Sequence, residues 1–443
     1  MKKHQSQNFG NPLKGGGDLG KKIFFVIFIL IIYRFGTYIP LPGVNLMILD
    51  SIVSEQAKGI LGMFNVLTGG ALGRMSIFTL NIMPYITASI IMQLMTVLSK
   101  DFSELRKSGE SGRQKINQYS KYLSVILALF QGYGIAVGIE SLSHNGVALI
   151  SDPGIYFRIV TMFSLMGGTI VVVWFADQIN TKGIGNGSSV IIFAGIVSGL
   201  LPSIFSLLEM GKSNIVSTQF LLLCFILVVF MIVFVVFMEK AQRKLVVQYP
   251  RKQVGKKIYA GDSTHLPIKI NVSGVIPPIF ANALLLFPAT IAGFSTGAEA
   301  TGWRKFVEIY LSQGKPLYVV LYIVFIVFFC FFYSTIVFNP EETAENLRKS
   351  GAIIIGRRPG NQTKEYLQYI LTRITVIGAS YIAIICAVPE VLTHQFSMPF
   401  YLGGTSILIV ISVVLDLSSQ IQSHLLSNKY VNLMKKTDMM RRR

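Results

Sequence analysis

Long apolar stretches, separated by turn-forming or charged residues, recur along the whole chain. Each is long enough to cross the hydrocarbon core of a bilayer, which is about 30 Å thick. In lipid such a segment must be helical, because its backbone polar groups find partners only within it. The pattern predicts ten transmembrane spans, at residues 23–39, 76–98, 119–139, 156–176, 187–207, 217–238, 271–294, 317–338, 369–389 and 399–420.

The composition supports a membrane protein and excludes other classes. Of the 443 residues, 52% are hydrophobic and 14% are charged, against about 25% charged in an ordinary soluble domain. A soluble globular enzyme, a disordered chain and a disulfide scaffold are therefore excluded. Cys224, Cys330 and Cys386 all lie in apolar runs, so we expect them to pack as small apolar side chains.

Charge then orients the predicted spans. The chain has 40 Lys+Arg against 21 Asp+Glu, and the basic residues concentrate in the tails 1–22 and 421–443 and in the loops 239–269 and 339–368. Because basic residues favour the cytoplasmic side, we expect both termini to be cytoplasmic. The two long loops either only enforce this topology or also dock an acidic or RNA partner.

A short internal repeat relates the second and seventh spans. NIMPYITAS (Asn81–Ser89) aligns with GVIPPIFAN (Gly274–Asn282), although shared composition of two proline-containing helices would also explain the match. With five spans in each half, 23–210 and 211–420, the second half would be inverted, which places a functional path at the interface. Pro84 and Pro277 are expected to kink their helices.

Polar side chains within these two spans offer contacts between the halves. Thr87 and Gln93 lie in the second span and Asn282 in the seventh. Hydrogen bonds across a helix seam contribute about 0.6–2 kcal/mol each, which would close the seam and still let it open.

No catalytic constellation is present in the sequence. The five histidines are scattered and form no close metal pair, and Gly211-Lys212-Ser213 lacks the first glycine of a phosphate-binding loop. We therefore expect no enzyme activity, metal or cofactor. Acidic residues lie near span ends, which disfavours ion-coupled transport, so a passive channel is favoured and a secondary transporter of a small solute is the alternative.

Several long motifs carry a resemblance to a known family. They are FGTYIPLPG (Phe35–Gly43), GGALGRMSIFTLNIMPYITASIIMQL (residues 69–94), SGESGRQKINQY (Ser108–Tyr119), WFADQINTKGIGNGSS (Trp174–Ser189), YAGDSTHLPIKIN (Tyr259–Asn271), FFYSTIVFNPEETAENLRKSGAIIIGRRPG (Phe331–Gly360) and PFYLGGTSILIVI (Pro399–Ile411). From about residue 20 to residue 430, the chain resembles the SecY/Sec61 family, the channel subunits of the Sec protein-export translocon.

The resemblance implies an all-α membrane fold of ten helices in two inverted five-helix halves, a clamshell with a short plug helix. In that family an unfolded polypeptide threads through the centre, or a hydrophobic segment leaves sideways between spans two and seven. The family's apolar pore ring would fall on Ile82, Ile86, Ile192, Ile279 and Ile409. Such a ring dewets and resists ion leakage.

The resemblance also assigns the remaining site residues. The plug would be residues 60–74, with Gly69, Gly70, Gly73 and Arg74. The lateral gate would include Pro84, Thr87, Gln93, Pro277 and Asn282. The docking surface for the SecA ATPase and the ribosome would include Arg251, Lys256, Lys257, Arg357 and Arg358.

Partners and location follow from the same resemblance. They are SecE and SecG in a heterotrimer, SecA, the ribosome, SecD/SecF and YidC, client polypeptides and lipids, in the bacterial inner membrane. Two positions depart from the family: Asn81, where it usually has Gly, and Ser188, where it often has Ile.

Overall fold

The structure is a computed structural model, and it describes residues 15–45, 69–140, 143–144, 147–148, 150, 152–212, 218–249, 252–254, 257–259, 263–294, 315–396 and 403–441. The described chain is mainly helical. The helices are α1 (Gly15–Gly36), α2 (Met83–Leu98), α3 (Lys100–Lys107), α4 (Glu110–Glu140), α5 (Ile155–Lys182), α6 (Gly187–Lys212), α7 (Thr218–Lys240), α8 (Ile276–Phe294), α9 (Pro316–Val337), α10 (Pro340–Lys349), α11 (Asn361–Phe396) and α12 (Gly404–Arg441). The strands are β1 (Ser143–His144), β2 (Val147–Ala148), β3 (Gln242–Gln248), β4 (Lys252–Val254), β5 (Lys257–Tyr259), β6 (Ser263–Lys269) and β7 (Ile353–Ile354).

Each predicted span overlaps one helix, and α3 and α10 are short additional helices. Within the described ranges, five helices are long and apolar enough to cross a membrane: Glu110–Glu140, Ile155–Lys182, Pro316–Lys349, Asn361–Val391 and Gly404–Ser427. Three shorter apolar helices lie at Met83–Leu98, Gly187–Leu200 and Ile276–Leu285. The protein is therefore a mainly helical membrane protein.

The second span differs from its prediction, because α2 begins at Met83 and not near residue 76. Residues 69–82 instead form consecutive turns, with hydrogen bonds such as Thr79 N to Ser76 O and Asn81 N to Phe78 O. Pro84 is the second residue of α2, where its missing N–H removes no helical hydrogen bond.

The seventh span repeats this arrangement. α8 begins at Ile276, so Pro277 is also a second helical residue. The predicted proline kinks at Pro84 and Pro277 are wrong, because both prolines begin helices and do not interrupt them.

Several helices extend beyond the apolar stretch that predicted them. α4 begins at Glu110, α11 begins at Asn361, and α12 continues to Arg441. Apolarity marks only the part of a helix that lipid requires, whereas polar residues such as Glu, Lys and Gln are also good helix formers in water. The helices therefore continue past the predicted spans at their polar ends, and the span ends themselves stay a prediction.

The two long basic loops fold together into one small sheet with strand order β6-β3-β7. β3 pairs with β6 along its whole length, from Gln242 opposite Lys269 to Gln248 opposite Ser263, and also pairs with β7. We call β6, β3 and β7 the basic sheet. Leu245 and Val247 alternate with exposed residues on β3 and pack on α10 and α11.

Three apolar clusters form the core of the described helices, and one of them joins α4 and α5 to the turns before α2. The other two contain residues of α12. The N-terminal cluster is built from α1, α5 and α6, with Phe78, Ile82 and two residues of α12. The C-terminal cluster is built from α7, α8, α9, α11 and α12, with Ile90 of α2. α2 and α12 contribute to both clusters, and the candidate site lies between the starts of these two helices and those of α6 and α8.

Candidate functional site

Four isoleucines from four separate elements line one cavity at the N-terminal cluster, of which Ile82, Ile192 and Ile409 are members and against which Ile279 packs. Its lining residues are Asn81, Ile82, Met83, Ile192, Ile279, Asn282, Thr405 and Ile409, and we call it the waist cavity. The volume in which the centre of a water-sized sphere fits is about 20 Å³. This is room for one or two water molecules. The structure thus brings together four of the five predicted pore-ring residues.

The start of a helix positions each of these isoleucines. Ile82 is the residue before α2, and Ile192, Ile279 and Ile409 all lie within the first six residues of α6, α8 and α12. Ile82 is 1% exposed and Ile409 is 2% exposed. Convergence of four helix starts explains why residues so distant in sequence share one cavity.

Ile86 lies one turn further along α2 and does not line the waist cavity. It is half-buried and packs against both apolar clusters. The structure therefore places Ile86 beside the other four isoleucines, at the contact between the two clusters. Its assignment to the pore ring stays a prediction.

Two asparagines, one before α2 and one on α8, line the waist cavity. Asn81 is 2% exposed and Asn282 is 3% exposed, and the Oδ1 atom of each has no hydrogen-bond partner within the described part of the chain. Thr405, which no sequence signal singled out, also lines the cavity and is 5% exposed. Three polar side chains therefore interrupt the apolar lining.

The backbone explains why Asn81 replaces the glycine that the family resemblance led us to expect. Its φ is 50°, in the left-handed region that favours glycine and that Asn enters more readily than other side chains. The substitution keeps the turn and adds an amide to the cavity.

The predicted lateral gate corresponds to a contact between α2 and α8. Ile86, Ile90 and Leu94 share one face of α2 and pack on the C-terminal cluster. Pro84 and Pro277 are buried at the starts of the two helices. This contact joins the two clusters along the length of α2.

The polar gate residues of α2 do not bond across this contact. Thr87 Oγ1 donates to Met83 O at 3.1 Å, and Gln93 Nε2 donates to Ser89 Oγ at 3.4 Å. Both bonds lie within α2, so the expected cross-seam hydrogen bonds are not formed by these donors. Apolar packing joins the helices instead.

Only the end of the predicted plug falls within the described residues, and positions 60–68 lie outside them. Gly69 and Gly70 have φ values of 68° and 82°, and Gly73 and Arg74 are half-buried. Arg34 Nη1 donates to Gly69 O at 2.7 Å. Two guanidinium groups contact the Tyr38 ring, with the Cζ atom of Arg74 4.2 Å and that of Arg34 5.1 Å from the ring centroid.

Of the predicted docking residues, Arg251 and Lys256 lie outside the described residues. Lys257 begins β5. Arg357 and Arg358 are exposed in the turn between β7 and α11. The first turn of α11 fixes this turn, because Arg358 N donates to Gln362 Oε1 at 3.4 Å and Thr363 Oγ1 donates to Arg358 O at 2.8 Å.

The Arg357 guanidinium lies 5.0 Å from the centroid of the Tyr366 ring, so part of its side chain is held against α11. The two arginines therefore differ in their surroundings, although they are adjacent in sequence. Within the described ranges, no three potential metal ligands come together.

The described helices thus define a polytopic membrane protein with a narrow, mainly apolar cavity, a lining of the kind that gates membrane channels by dewetting. Comparison with known proteins identifies its family. Residues 76–418 match the family model named SecY, and the chain belongs to the SecY family.

Named relatives cover almost the whole chain. Protein translocase subunit SecY of Rickettsia felis is 52% identical over 430 residues, 97% of this chain and 98% of the relative. Protein translocase subunit SecY of Escherichia coli K12 is 46% identical over 439 residues, 99% of each. The chain is thus the channel subunit of a protein translocase, and its family is one of protein-conducting channels and not of enzymes.

Solved structures share the fold. A SecY structure from work on how the plug domain stabilises the closed channel has a TM-score of 0.66, with 17% identity and 93% coverage of both chains. Sec61 in the canine ribosome–channel complex has a TM-score of 0.63, also with 17% identity and 93% coverage of both chains.

Proposed function

We propose that the waist cavity marks the constriction through which an unfolded polypeptide passes between two five-helix halves, residues 23–210 and 211–420. One observation carries this proposal: Ile82, Ile192, Ile279 and Ile409 come from four elements and line one cavity. Ile86 extends this apolar surface by one turn of α2. These five side chains form the pore ring.

The chemistry of isoleucine suits this task. A ring of bulky groups without hydrogen-bonding capacity interrupts the continuous column of water that ions need and so resists ion flow. The same surface contacts an extended polypeptide without selecting its sequence, because apolar contact is non-directional. The waist therefore seals the resting channel and tolerates many clients.

The α2–α8 contact is the lateral gate in this proposal, through which a hydrophobic client segment enters lipid. Its buried face is apolar, which supports the assignment, since separating it exposes a surface that lipid and a hydrophobic segment both accept. Pro84, Thr87, Gln93, Pro277 and Asn282 line or begin these helices. Residues 60–74 form the plug, held at its end by the Arg34–Gly69 hydrogen bond.

The chain then crosses the bacterial inner membrane ten times, with the tails 1–22 and 421–443 in the cytoplasm. The basic residues of loops 239–269 and 339–368 support this orientation, which places the basic sheet in the cytoplasm.

Energy for transport comes from partners in this proposal, since the sequence contains no Walker motif. SecA and the ribosome dock on the basic loops, through Arg251, Lys256, Lys257, Arg357 and Arg358. SecE and SecG complete the heterotrimer, and SecD/SecF and YidC associate with it. The exposed turn at Arg358 supports a docking role because its backbone is fixed and its side chain is accessible.

A secondary transporter of a small solute is the alternative that the sequence left open. Membership of a family of protein translocase subunits favours the channel. Uptake measured in vesicles separates the two functions, since a transporter would accumulate a solute without a client polypeptide.

The decisive experiment compares two isoleucines of α6. Ile192 lines the waist cavity, whereas Ile196, one turn further on, is fully buried in the N-terminal cluster. Both Ile→Ala changes destabilise the fold, by about 2–5 kcal/mol. We expect Ile192→Ala to raise ion conductance of the complete complex in planar bilayers, more so when combined with Ile409→Ala.

Ile196→Ala is the matched control, and it should leave conductance near the wild-type value. Equal conductance of the Ile192→Ala, Ile196→Ala and wild-type proteins would refute a constriction at the waist cavity.

A further inference from the structure

The waist cavity contains two buried amides that its apolar lining does not satisfy. Asn81 Oδ1 and Asn282 Oδ1 both lack a hydrogen-bond partner within the described residues, and both side chains line the cavity and are at least 97% buried. Buried polar groups are almost always hydrogen-bonded in native proteins. Because both amides line one cavity, a single occupant could bond to both of them, although the Tyr33 hydroxyl also lies next to Asn81.

The size and the lining of the cavity fit water. A space of about 20 Å³ for a water-sized sphere exceeds the minimum for one molecule, and a buried water needs two to four polar partners. Asn81, Asn282 and Thr405 offer amide and hydroxyl groups around this space. Cavities lined only by apolar groups stay dry, so these residues decide its hydration.

The positions of the asparagines make such a water a link between the halves. Asn81 lies in the turn before α2, in the N-terminal half, and Asn282 lies on α8, in the C-terminal half. No direct hydrogen bond of Thr87 or Gln93 crosses the α2–α8 contact. A molecule that bonds both amides would cross it at the waist.

We propose that the waist cavity is a binding site for ordered water, which bridges Asn81 and Asn282 and holds the closed waist together. The ligand is a small neutral group that both donates and accepts hydrogen bonds. The bridge deepens the proposed function, on which its gating role rests, by naming a polar latch inside the pore ring. Opening separates the two asparagines and lets bulk water hydrate each of them.

A double-mutant cycle tests the latch. Asn282→Leu removes one amide at similar size and leaves Asn81 Oδ1 buried without a partner, which destabilises the closed state. Asn81→Gly keeps the positive φ. It leaves Asn282 Oδ1 buried without a hydrogen-bond partner. We expect each single variant of the complete complex to raise the open-to-closed ratio, measured as conductance in planar bilayers, about 5- to 30-fold.

The double variant Asn81→Gly/Asn282→Leu has no stranded amide. Its open-to-closed ratio should be far below the product of the two single effects, since coupled groups are non-additive. A ratio equal to that product, or single variants that conduct like wild type, would overturn the latch.

Two further measurements keep the test decisive. An electron cryomicroscopy map of the closed wild-type complex, at a resolution that shows ordered water, should contain density within hydrogen-bond distance of both asparagines, and lack of this density would refute the site. Asn282→Ser keeps a hydroxyl and should conduct like wild type, and Asn282→Ala replaces Asn282→Leu if leucine prevents folding.

Failure of the latch and failure of the proposed function give different results. Suppose that Ile192→Ala raises conductance, but that the open-to-closed ratio of the double asparagine variant equals the product of the two single effects. The constriction is then supported and the latch is refuted. If the map contains the water density but Ile192→Ala conducts like wild type, the water site is supported and the proposed constriction is refuted.

Discussion

Asn81 and Gly274 occupy the same backbone position in the two halves of the molecule. Their φ values are 50° and 64°, and each lies two residues before a helix whose second residue is proline. These residues are also the first positions of the sequence repeat. The repeat therefore encodes a structural unit, a left-handed turn that directs the chain into a proline-started helix.

This turn predicts an unusual order of stabilities at position 81. Asn81→Ala should lower the free energy of unfolding by about 1 kcal/mol relative to Asn81→Gly, because alanine resists a left-handed φ. Both variants lose the amide, so their difference isolates the backbone. Thermal unfolding of the purified complex in detergent measures it, and equal melting temperatures would contradict the requirement for positive φ.

Two adjacent glycines of α5 give a second prediction. A Cβ atom at Gly168 would collide with the Ile77 carbonyl oxygen, whereas one at Gly167 would meet nothing within 4 Å. Gly168→Ala should therefore destabilise the protein by about 1–3 kcal/mol through overpacking. Gly167→Ala should be neutral or gain about 0.5–1 kcal/mol from helix propensity.

The measurement for the glycine pair is folded yield and melting temperature of the two variants side by side. The packing of α5 on the turns before α2 would be wrong if Gly168→Ala proved as stable as Gly167→Ala.

The Arg34–Gly69 hydrogen bond predicts an effect on the resting seal. Arg34→Leu removes a charged donor, at 2.7 Å, from the end of the proposed plug, and hydrogen bonds to charged groups contribute about 1.5–3 kcal/mol. We expect a higher resting ion conductance in planar bilayers. Tyr38→Phe is the control, because it removes only the 3.3 Å bond from Arg34 Nη2 to Tyr38 Oη and keeps the aromatic ring.

Resting conductance should therefore follow the order Arg34→Leu above Tyr38→Phe, with Tyr38→Phe close to wild type. An Arg34→Leu channel with the resting conductance of wild type would show that the Arg34–Gly69 hydrogen bond does not hold the plug.

The exposed turn after β7 predicts a separation of transport from stability. Arg358→Glu should abolish SecA-driven export in vesicles and leave the melting temperature unchanged, since the described contacts of Arg358 are made by its backbone. Lys115→Glu, on the exposed surface of α4 and outside both basic loops, makes the same change of charge. Normal export by Arg358→Glu, or equal loss in Lys115→Glu, would refute a specific docking role.

Hydrophobic patterning predicted the positions of the spans well, because lipid imposes one requirement on every membrane-crossing segment. It misplaced the start of α2, because residues 76–82 are mainly apolar, like the transmembrane helix that follows, and yet form turns. The positive φ of Asn81 was not readable from apolarity. Pro84 could have indicated the helix start, because proline favours the first turn.

The basic loops show a different limit. Their strands pair across more than 80 residues of sequence, from Val247 to Ile354, and no local pattern encodes a partner at that distance. α10, in contrast, had a readable signal: Asn339 accepts from Glu341 N at 3.1 Å, a helix cap followed by Pro340.

The pore-ring residues came from family motifs and not from periodicity. The sequence gives no physical reason to choose Ile192 over Ile196, which are both apolar residues of one helix. They differ only in the folded protein, where the starts of four helices converge and Ile192, but not Ile196, lines the cavity. For the same reason the sequence shows Asn81 and Asn282 but does not indicate that their amides line one cavity.

The basic sheet has a mechanical consequence. β7 leads into α11, and β3 connects it through hydrogen bonds to β6, which leads towards α8. A load applied at the Arg358 turn is therefore shared between two distant parts of the chain and reaches the base of α8. If a partner docks at the Arg358 turn as proposed, its pull would thus also act on the helix assigned to the proposed lateral gate.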